Sequence, residues 1–277
     1  MELDIRIRLA ETRADFETAV SLQRAVWGLS DLDITSAIQL IATTHAGGAL
    51  QLAETADSVP LGFAYALPSL RGGKPHLHSD MLAVLPEHRK RGVGARLKWA
   101  QREEALRRGL DLISWTFDPL QARNANLNLR RLGAVASEFF EDFYGVTSAA
   151  LHHGLPTDRL LVHWRLEDPR VAELAQQGEP STTVPTPLHP RINEVKWQAG
   201  WPVSSEPRTD LEGPALLLEI PPDWDILCQA APRVAEDWQG KVRRALAAHF
   251  GRGYRGGEFA PTEQAGRRRP LYVLTRA

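Results

Sequence analysis

The stretch from Met81 to Leu97 constrains this chain more than any other. It reads Met-Leu-Ala-Val-Leu-Pro-Glu-His-Arg-Lys-Arg-Gly-Val-Gly-Ala-Arg-Leu: an apolar strand, a basic loop with two glycines, then the start of an amphipathic helix. The first turn of a helix leaves N–H groups without partners, and the peptide dipoles place partial positive charge there. Gly92 and Gly94 let the backbone approach a ligand closely. Arg89, Lys90 and Arg91 add formal charge, so the loop suits an anion, and a pyrophosphate in particular. A nucleoside-triphosphate loop would need Gly-Lys followed by Ser or Thr, and none follows Gly94. A dinucleotide fingerprint would need a third Gly or Ala where Leu97 stands. The structural alternative is a basic solvated turn between strand and helix.

Composition narrows the setting. With 277 residues, 43% apolar and 24% charged, the chain is an ordinary globular protein with room for roughly two domains, or one core with an extension. Its single cysteine, Cys228, excludes an internal disulfide and a zinc site built from several thiolates. Lys and Arg number 33 against 34 Asp and Glu, for a net charge of −1, which argues against nucleic acid held by global charge. The opening Met1 to Arg6 carries early acids and no apolar core of a signal peptide. The longest stretch without formal charge, Ile34 to Ala53, is interrupted by Thr, Ser, Gln and His, so no membrane span is expected. The expected location is the cytoplasm, with neither membrane nor nucleic acid as partner.

Periodicity gives the order of elements. Leu3, Ile5, Ile7 and Leu9 alternate with charged residues, which predicts a half-buried strand. Helices are predicted over 12–27 and 36–44, and strands over 49–54, 61–67 and 76–84. A helix to about 108 follows the basic loop. Then come a strand over 110–117, a helix over 123–132, and strands over 134–144 and 158–166. This order predicts an α/β (α+β) layer fold with one main sheet. Prolines at 180, 185, 187, 190, 202, 207 and 214 read as an extended connector, with a packed segment as the alternative to a disordered one. Beyond it a strand over 215–220, a helix over 230–249 and strands over 254–260 and 271–275 form a small C-terminal α/β unit. Arg267, Arg268 and Arg269 read as a solvated turn before the last strand.

Arg89-Lys90-Arg91-Gly92-Val93-Gly94 fits the Arg/Gln-x-x-Gly-x-Gly/Ala signature of the GNAT acyltransferases, and the element order over about 3–166 fits with it. The chain thus resembles GNAT enzymes, which transfer an acyl group from acyl-CoA, usually to an amine. Trp115 to Leu120, Arg123 to Asn128, Leu132-Gly133-Ala134, Phe143-Tyr144-Gly145, His153 to Arg159 and the segments around Glu219-Ile220-Pro221 and Gly253-Tyr254 are similar to a bacterial subgroup of predicted GNAT acetyltransferases with a C-terminal extension. The resemblance implies a mixed, mostly antiparallel sheet flanked by helices. It also implies a GNAT-like acyl-CoA-binding catalytic core over 1–167, a connector over 168–213 and a small β-α-β-β unit over 214–277. That last unit either completes the acceptor pocket or makes a homo-oligomer interface.

The resemblance assigns roles residue by residue. Leu82, Ala83 and Val84 match the strand whose backbone meets pantetheine, and one of its N–H groups would polarise the thioester carbonyl. The amides of Arg89, Lys90, Arg91, Gly92, Val93, Gly94 and Ala95 would hold the pyrophosphate. Asn124 matches a region near the CoA arm, with helix capping as its structural alternative. Many GNATs carry a Tyr four residues before the Gly of a Tyr-x-x-x-Gly helix; counting back from Gly133, that position is Leu129. Tyr144 is the substitute candidate for the general acid. His76, His78 and Asp80 alternate along the strand into the loop, so period two brings them to one face. His78 and Asp80 are the candidate base and orienting partner, against the alternative of a polar exposed strand end. No further ligand supports a metal at this set. His152, His153 and Arg159 could meet a carboxylate.

The co-substrate implied is acetyl-CoA or another acyl-CoA, succinyl-CoA included, and the partner is a small-molecule amine acceptor. An α-amine, with a pKa of about 8, keeps a useful neutral fraction near neutrality, whereas a lysine-type amine near about 10.4 keeps roughly one part in a thousand. This favours an amino acid as acceptor where the base is weak. A non-catalytic acyl-CoA-binding module is the competing reading, motivated by Leu129.

Overall fold

The structure, a computed structural model, describes residues 4–145, 154–178 and 188–276. Of these, 4–115 and 165–168 pack as one unit, and 116–145, 154–164, 169–178 and 188–276 as a second. This is a division of packing, whereas the boundary expected near residue 167 is one of sequence likeness. The fold class is as expected: mixed α/β, with mostly antiparallel strand pairing and flanking helices.

The first unit orders its strands β1 (Ile5–Leu9), β2 (Ala49–Thr55), β3 (Pro60–Arg71), β4 (Lys74–Val84) and β5 (Leu112–Phe117). The first four pair antiparallel, and β4 pairs parallel with β5. One face of this sheet carries α1 (Arg13–Trp27) and α2 (Ala37–His45). Phe16, Ala19 and Leu22 of α1 and Leu40 of α2 close there on Leu50, Leu52, Phe63, Tyr65 and Ala83. The other core joins Ile5, Ala53, Leu61 and Ala64 to Val93 and Leu97 of α3 (Val93–Arg107).

Local sequence explains why these elements begin where they do. Thr12 caps α1 by accepting from the Asp15 amide, and the Asp15 carboxylate accepts from the Thr12 amide, a reciprocal capping box. Gly28 ends the helix in the left-handed region, at φ 61°. Ser36 accepts from the Gln39 amide and starts α2. Arg8 on β1 ties helix to sheet: it donates to Asp15 at 2.6 Å and to Glu54 of β2 at 3.0 Å.

The second unit orders its strands β7 (Arg159–Arg165), β6 (Val135–Phe140), β11 (Tyr254–Gln264), β12 (Arg267–Arg276) and β10 (Ala215–Glu219), with antiparallel neighbours. Gly256 faces Ala136 so closely that an added Cβ would lie 3.2 Å from the alanine methyl. The helices are α4 (Ala122–Ala125), which continues as a π-helical stretch over Asn126–Arg131, α5 (Pro169–Gln177), α6 (Trp224–Ala230) and α7 (Pro232–Gly251). Trp238 of α7 is fully buried and donates to the Pro202 carbonyl at 2.8 Å.

The described part of the proline-rich stretch takes the packed alternative: β8 (Val195–Gln198) and β9 (Trp201–Ser204) form a hairpin, and Arg191 bridges to Leu217 of β10. Buried Asn193 explains this, since its amide donates to Ser204 and to the Glu219 carbonyl and accepts from the Glu219 amide. The three arginines from Arg267 are no solvated turn. They open β12, and Arg269 makes two 2.8 Å bonds to the buried Glu219 carboxylate. The strand expected to reach residue 144 ends at Phe140. Among the described residues no helix is long and apolar enough to cross a membrane.

The Arg8 guanidinium holds the Asp15 carboxyl well below the ordinary carboxylate range, with the backbone amides of Thr12 and Glu11 acting in the same sense. A depressed folded-state pKa stabilises above the unfolded value of about 3.9 and loses that contribution as the pH falls below it. Replacing Asp15 with Ala should cost about 1–3 kcal/mol at pH 7 in urea unfolding, and the difference from wild type should shrink on acidification below about pH 4. The exposed Arg13–Glu17 pair should give less than about 0.5 kcal/mol when removed.

Candidate functional site

β4 is held differently on its two sides. Against β3 its register runs from Lys74 to Val84. Against β5 the parallel register joins Leu77 to Ile113 and His78 to Ser114, and goes no further among the described residues of this unit. Past His78, the β5-facing edge of β4 is therefore free to offer main-chain groups to a ligand, and Leu82, Ala83 and Val84 lie on that length.

The loop follows directly. Pro86–His88 make a single 3-10 turn, Lys90 takes a left-handed conformation at φ 63°, and Gly92 takes φ 77° at the N-cap of α3. No side chain caps this helix, so the amides of its first turn point outward as donors. Val93 is buried in the core and anchors the turn, and Ala95 is also buried. A Cβ on Gly94 would lie 3.8 Å from Leu82 and Val84, so the loop rests on the strand that precedes it. Lys90 and Arg91 are exposed. Arg89 donates through Nε to the Val84 carbonyl at 3.2 Å, which ties the loop back to β4. The set of amides, glycines and exposed cations fits a pyrophosphate.

A β-bulge interrupts β4 ahead of this length. Tyr65 pairs with Met81 and Ala66 with Ser79, which leaves Asp80 as the extra residue. Simple alternation through His76, His78 and Asp80 therefore breaks at Asp80. Nor are the histidines an exposed strand end: His76 is buried and His78 half-buried. Among the described residues no hydrogen bond joins His78 to Asp80. The partner of His78 is Ser114 of β5, whose Oγ lies 3.0 Å from His78 Nδ1 and 3.2 Å from His76 Nε2. The other nitrogen of His76, Nδ1, lies 3.2 Å from the Lys74 carbonyl oxygen. Desolvation, reinforced by the charges of His76, Lys98 and Arg71, pulls the His78 pKa down to about 4. Desolvation raises the Asp80 carboxyl above its ordinary value. The residue keeps an exposed surface because a carboxyl can be crowded by protein on one side and still touch solvent.

Behind this strand lies a buried polar cluster. Gln101 Oε1 accepts from Ser79 Oγ at 2.9 Å and from Lys98 Nζ at 3.0 Å. Lys98 Nζ also stands 3.6 Å from the centroid of the Trp115 ring. Burial pushes the Lys98 amine well below the ordinary lysine range.

Asn124 and Tyr144 belong to the second unit. Asn124 sits inside α4, while the N-cap position is Gln121 and no side chain caps the helix; the capping alternative for Asn124 is therefore set aside. Tyr144 stands in a turn and is about half exposed. Its OH is 3.2 Å from Thr116 Oγ1, its amide donates to Thr157 Oγ1, and the Arg159 guanidinium lies over its ring. Leu129 is fully buried, so an apolar residue there is a core residue. His152 and His153 lie outside the described residues. Among the described residues no group of three His, Cys, Asp or Glu is placed to hold a metal ion.

Ser114, Gln101 and Lys98 were missed in the sequence. Each had a weak signal: a serine within a buried-looking strand, and a Lys and a Gln near Leu97 on the inward face of α3.

Residues 16–134 match the family model of the acetyltransferase (GNAT) family. No curated protein matches the sequence. Three solved structures align with 58% of this chain. One is the ribosomal-protein-S18-alanine N-acetyltransferase of Escherichia coli, at 15% identity over 94% of that chain, TM-score 0.46. Another is Arabidopsis thaliana Naa50 in complex with a CoA-peptide bisubstrate analogue, at 13% identity over 98% of that chain, TM-score 0.46. The third is an acetyltransferase of the GNAT family from Streptococcus pneumoniae, at 18% identity over 98% of that chain, TM-score 0.46. The strand, loop and helix described above lie within the matched residues 16–134.

The buried Lys98 amine generates a test within these residues. With a folded-state pKa below the unfolded one, the unfolded chain binds more protons, so this group makes stability rise with pH up to about 10.4. Lys98→Met should reduce the rise in unfolding free energy between pH 7 and pH 9, measured in urea at both values. An unchanged rise would show that the amine is not desolvated.

Proposed function

We propose that the chain transfers an acyl group from acyl-CoA to a small-molecule amine, with acetyl-CoA or succinyl-CoA as donor and an amino acid as the favoured acceptor. The observation that carries this reading is the uncapped N-terminus of α3, resting on a β4 edge that β5 leaves unpaired past His78. The first-turn amides from Gly92 to Ala95 receive the pyrophosphate, with Lys90 and Arg91 adding charge and Arg89 bracing the loop. Leu82, Ala83 and Val84 hydrogen-bond the pantetheine arm, and an amide among them polarises the thioester carbonyl.

His78 is the candidate base. Its depressed pKa keeps the ring neutral at pH 7, so it accepts a hydrogen bond from the amine. It takes the proton as the attacking nitrogen becomes acidic in the tetrahedral intermediate. The amine nitrogen bonds to the carbonyl carbon, the carbon–sulfur bond breaks, and the departing thiolate takes a proton from water. Asp80, on the bulge, offers its carboxylate to a cationic acceptor. A base this weak suits an α-amine better than a lysine-type amine.

Thiol release with acetyl-CoA and succinyl-CoA, screened against amino acids and simple amines, tests the reading. Turnover supports it, and tight CoA binding with no turnover on any acceptor would instead make the domain an acyl-CoA-binding module. Gly94→Glu places a carboxylate at the pyrophosphate position, where the backbone leaves room for a side chain. It should abolish CoA binding in calorimetry with the circular dichroism unchanged; retained affinity would refute the loop assignment. His78→Ala should lower kcat by about 10²–10⁴-fold. In the wild type, the loss of kcat/KM that belongs to His78 should appear only as the pH falls through about 4.

A further inference from the structure

The hydrogen bonds around Ser114 carry information that no single residue holds. Lys74 offers His76 only a carbonyl oxygen, which accepts, so His76 Nδ1 must carry the hydrogen in that 3.2 Å bond. A neutral imidazole carries one such hydrogen, which leaves His76 Nε2 as a lone pair. That lone pair faces the Ser114 hydroxyl at 3.2 Å, so the hydroxyl donates to it. A hydroxyl has one hydrogen, and once it is committed to His76 the oxygen can only accept. The 3.0 Å bond to His78 Nδ1 must then be donated by His78. In neutral His78 the remaining nitrogen, Nε2, is a lone pair with no hydrogen-bond partner among the described residues.

We infer that the Lys74 carbonyl, His76 and Ser114 form a positioning relay that holds His78 in its Nδ1–H tautomer, so that Nε2 faces the acceptor as a proton acceptor. The inference rests on the reading of His78 as the base of acyl transfer, and it adds Ser114 and His76 as positioning residues. Two further observations support it. Ser114 is buried, so water does not compete for its hydroxyl. The register that sets Ser114 beside His78 is one of the two parallel pairs joining β4 to β5, so the relay is built into the strand pairing and does not depend on a loop. Desolvation, the largest cause of the depressed His78 pKa, keeps that ring neutral at pH 7, as the relay requires.

The tautomer is directly measurable, whatever the enzyme turns over. Nitrogen-15 spectra of the histidine-labelled full chain at pH 7, with His78 assigned by its absence in His78→Gln, should show the hydrogen of His78 on Nδ1. Ser114→Ala should move it to Nε2, and Ser114→Thr, which keeps a hydroxyl, should restore the Nδ1–H form. Nε2–H on wild-type His78 would overturn the relay without any variant having to fold, as would a tautomer unchanged in Ser114→Ala. With an acceptor found, Ser114→Ala should lower kcat at least about tenfold with little change in KM, and Ser114→Thr should recover it. A shifted tautomer with unchanged kcat would overturn the positioning role. Absence of turnover in the wild type would count against acyl transfer itself, and the relay would stand or fall on the spectra alone.

Discussion

The unequal pairing of β4 is the constraint on which the rest of the first unit depends. A strand bonded along its whole length on both sides has no main-chain groups to offer a ligand. β4 is saturated by β3, yet among the described residues of this unit it meets β5 at two residue pairs. Those two pairs are enough to fix the strands and to set His78 beside Ser114. The edge beyond them is left open where the chain turns into the basic loop and α3. Two successive lengths of one strand thus differ: His78 stands where β4 is paired with β5, and Leu82 to Val84 stand beyond that pairing.

The bulge at Asp80 separates these two lengths. Ahead of it, the ordinary alternation of the strand turns Ser79 toward Gln101 and Lys98 while His76 and His78 turn toward Ser114. A buried lysine beside an aromatic ring is costly to keep charged, and burial lowers its pKa accordingly. The same low-polarity surroundings act on His78 and keep it neutral. Desolvation is therefore the shared cause behind both shifts, and it follows from packing α3 and the strands around polar residues, not from any close ion pair.

In the second unit composition left a choice open. Seven prolines between 180 and 214 suggested an extended connector, packed or loose, and the described part is organised around Asn193, Glu219, Arg191 and Arg269. Proline density reports the absence of regular ladders. It does not report whether buried amide and ion-pair partners tie a segment down. Likewise Arg269 looked solvated only because its partner, Glu219, lies 50 positions away in sequence, while Arg267 and Arg268 are exposed on the strand.

Local chemistry was legible in the sequence. The order of strands and helices and the anion-seeking loop with its two glycines are properties of short windows, where propensity, periodicity and uncapped amides act within a few residues. What only the tertiary structure decided are relations between distant windows. The alternation of His76, His78 and Asp80 suggested an acid–base pair within one strand. The register shift placed Asp80 apart as the extra residue, and Ser114, 36 positions from His78, became its partner. A bulge and a cross-strand hydrogen bond depend on which strand lies alongside and in what register. No window of one strand contains that information, because the bonds that set it are made by another part of the chain.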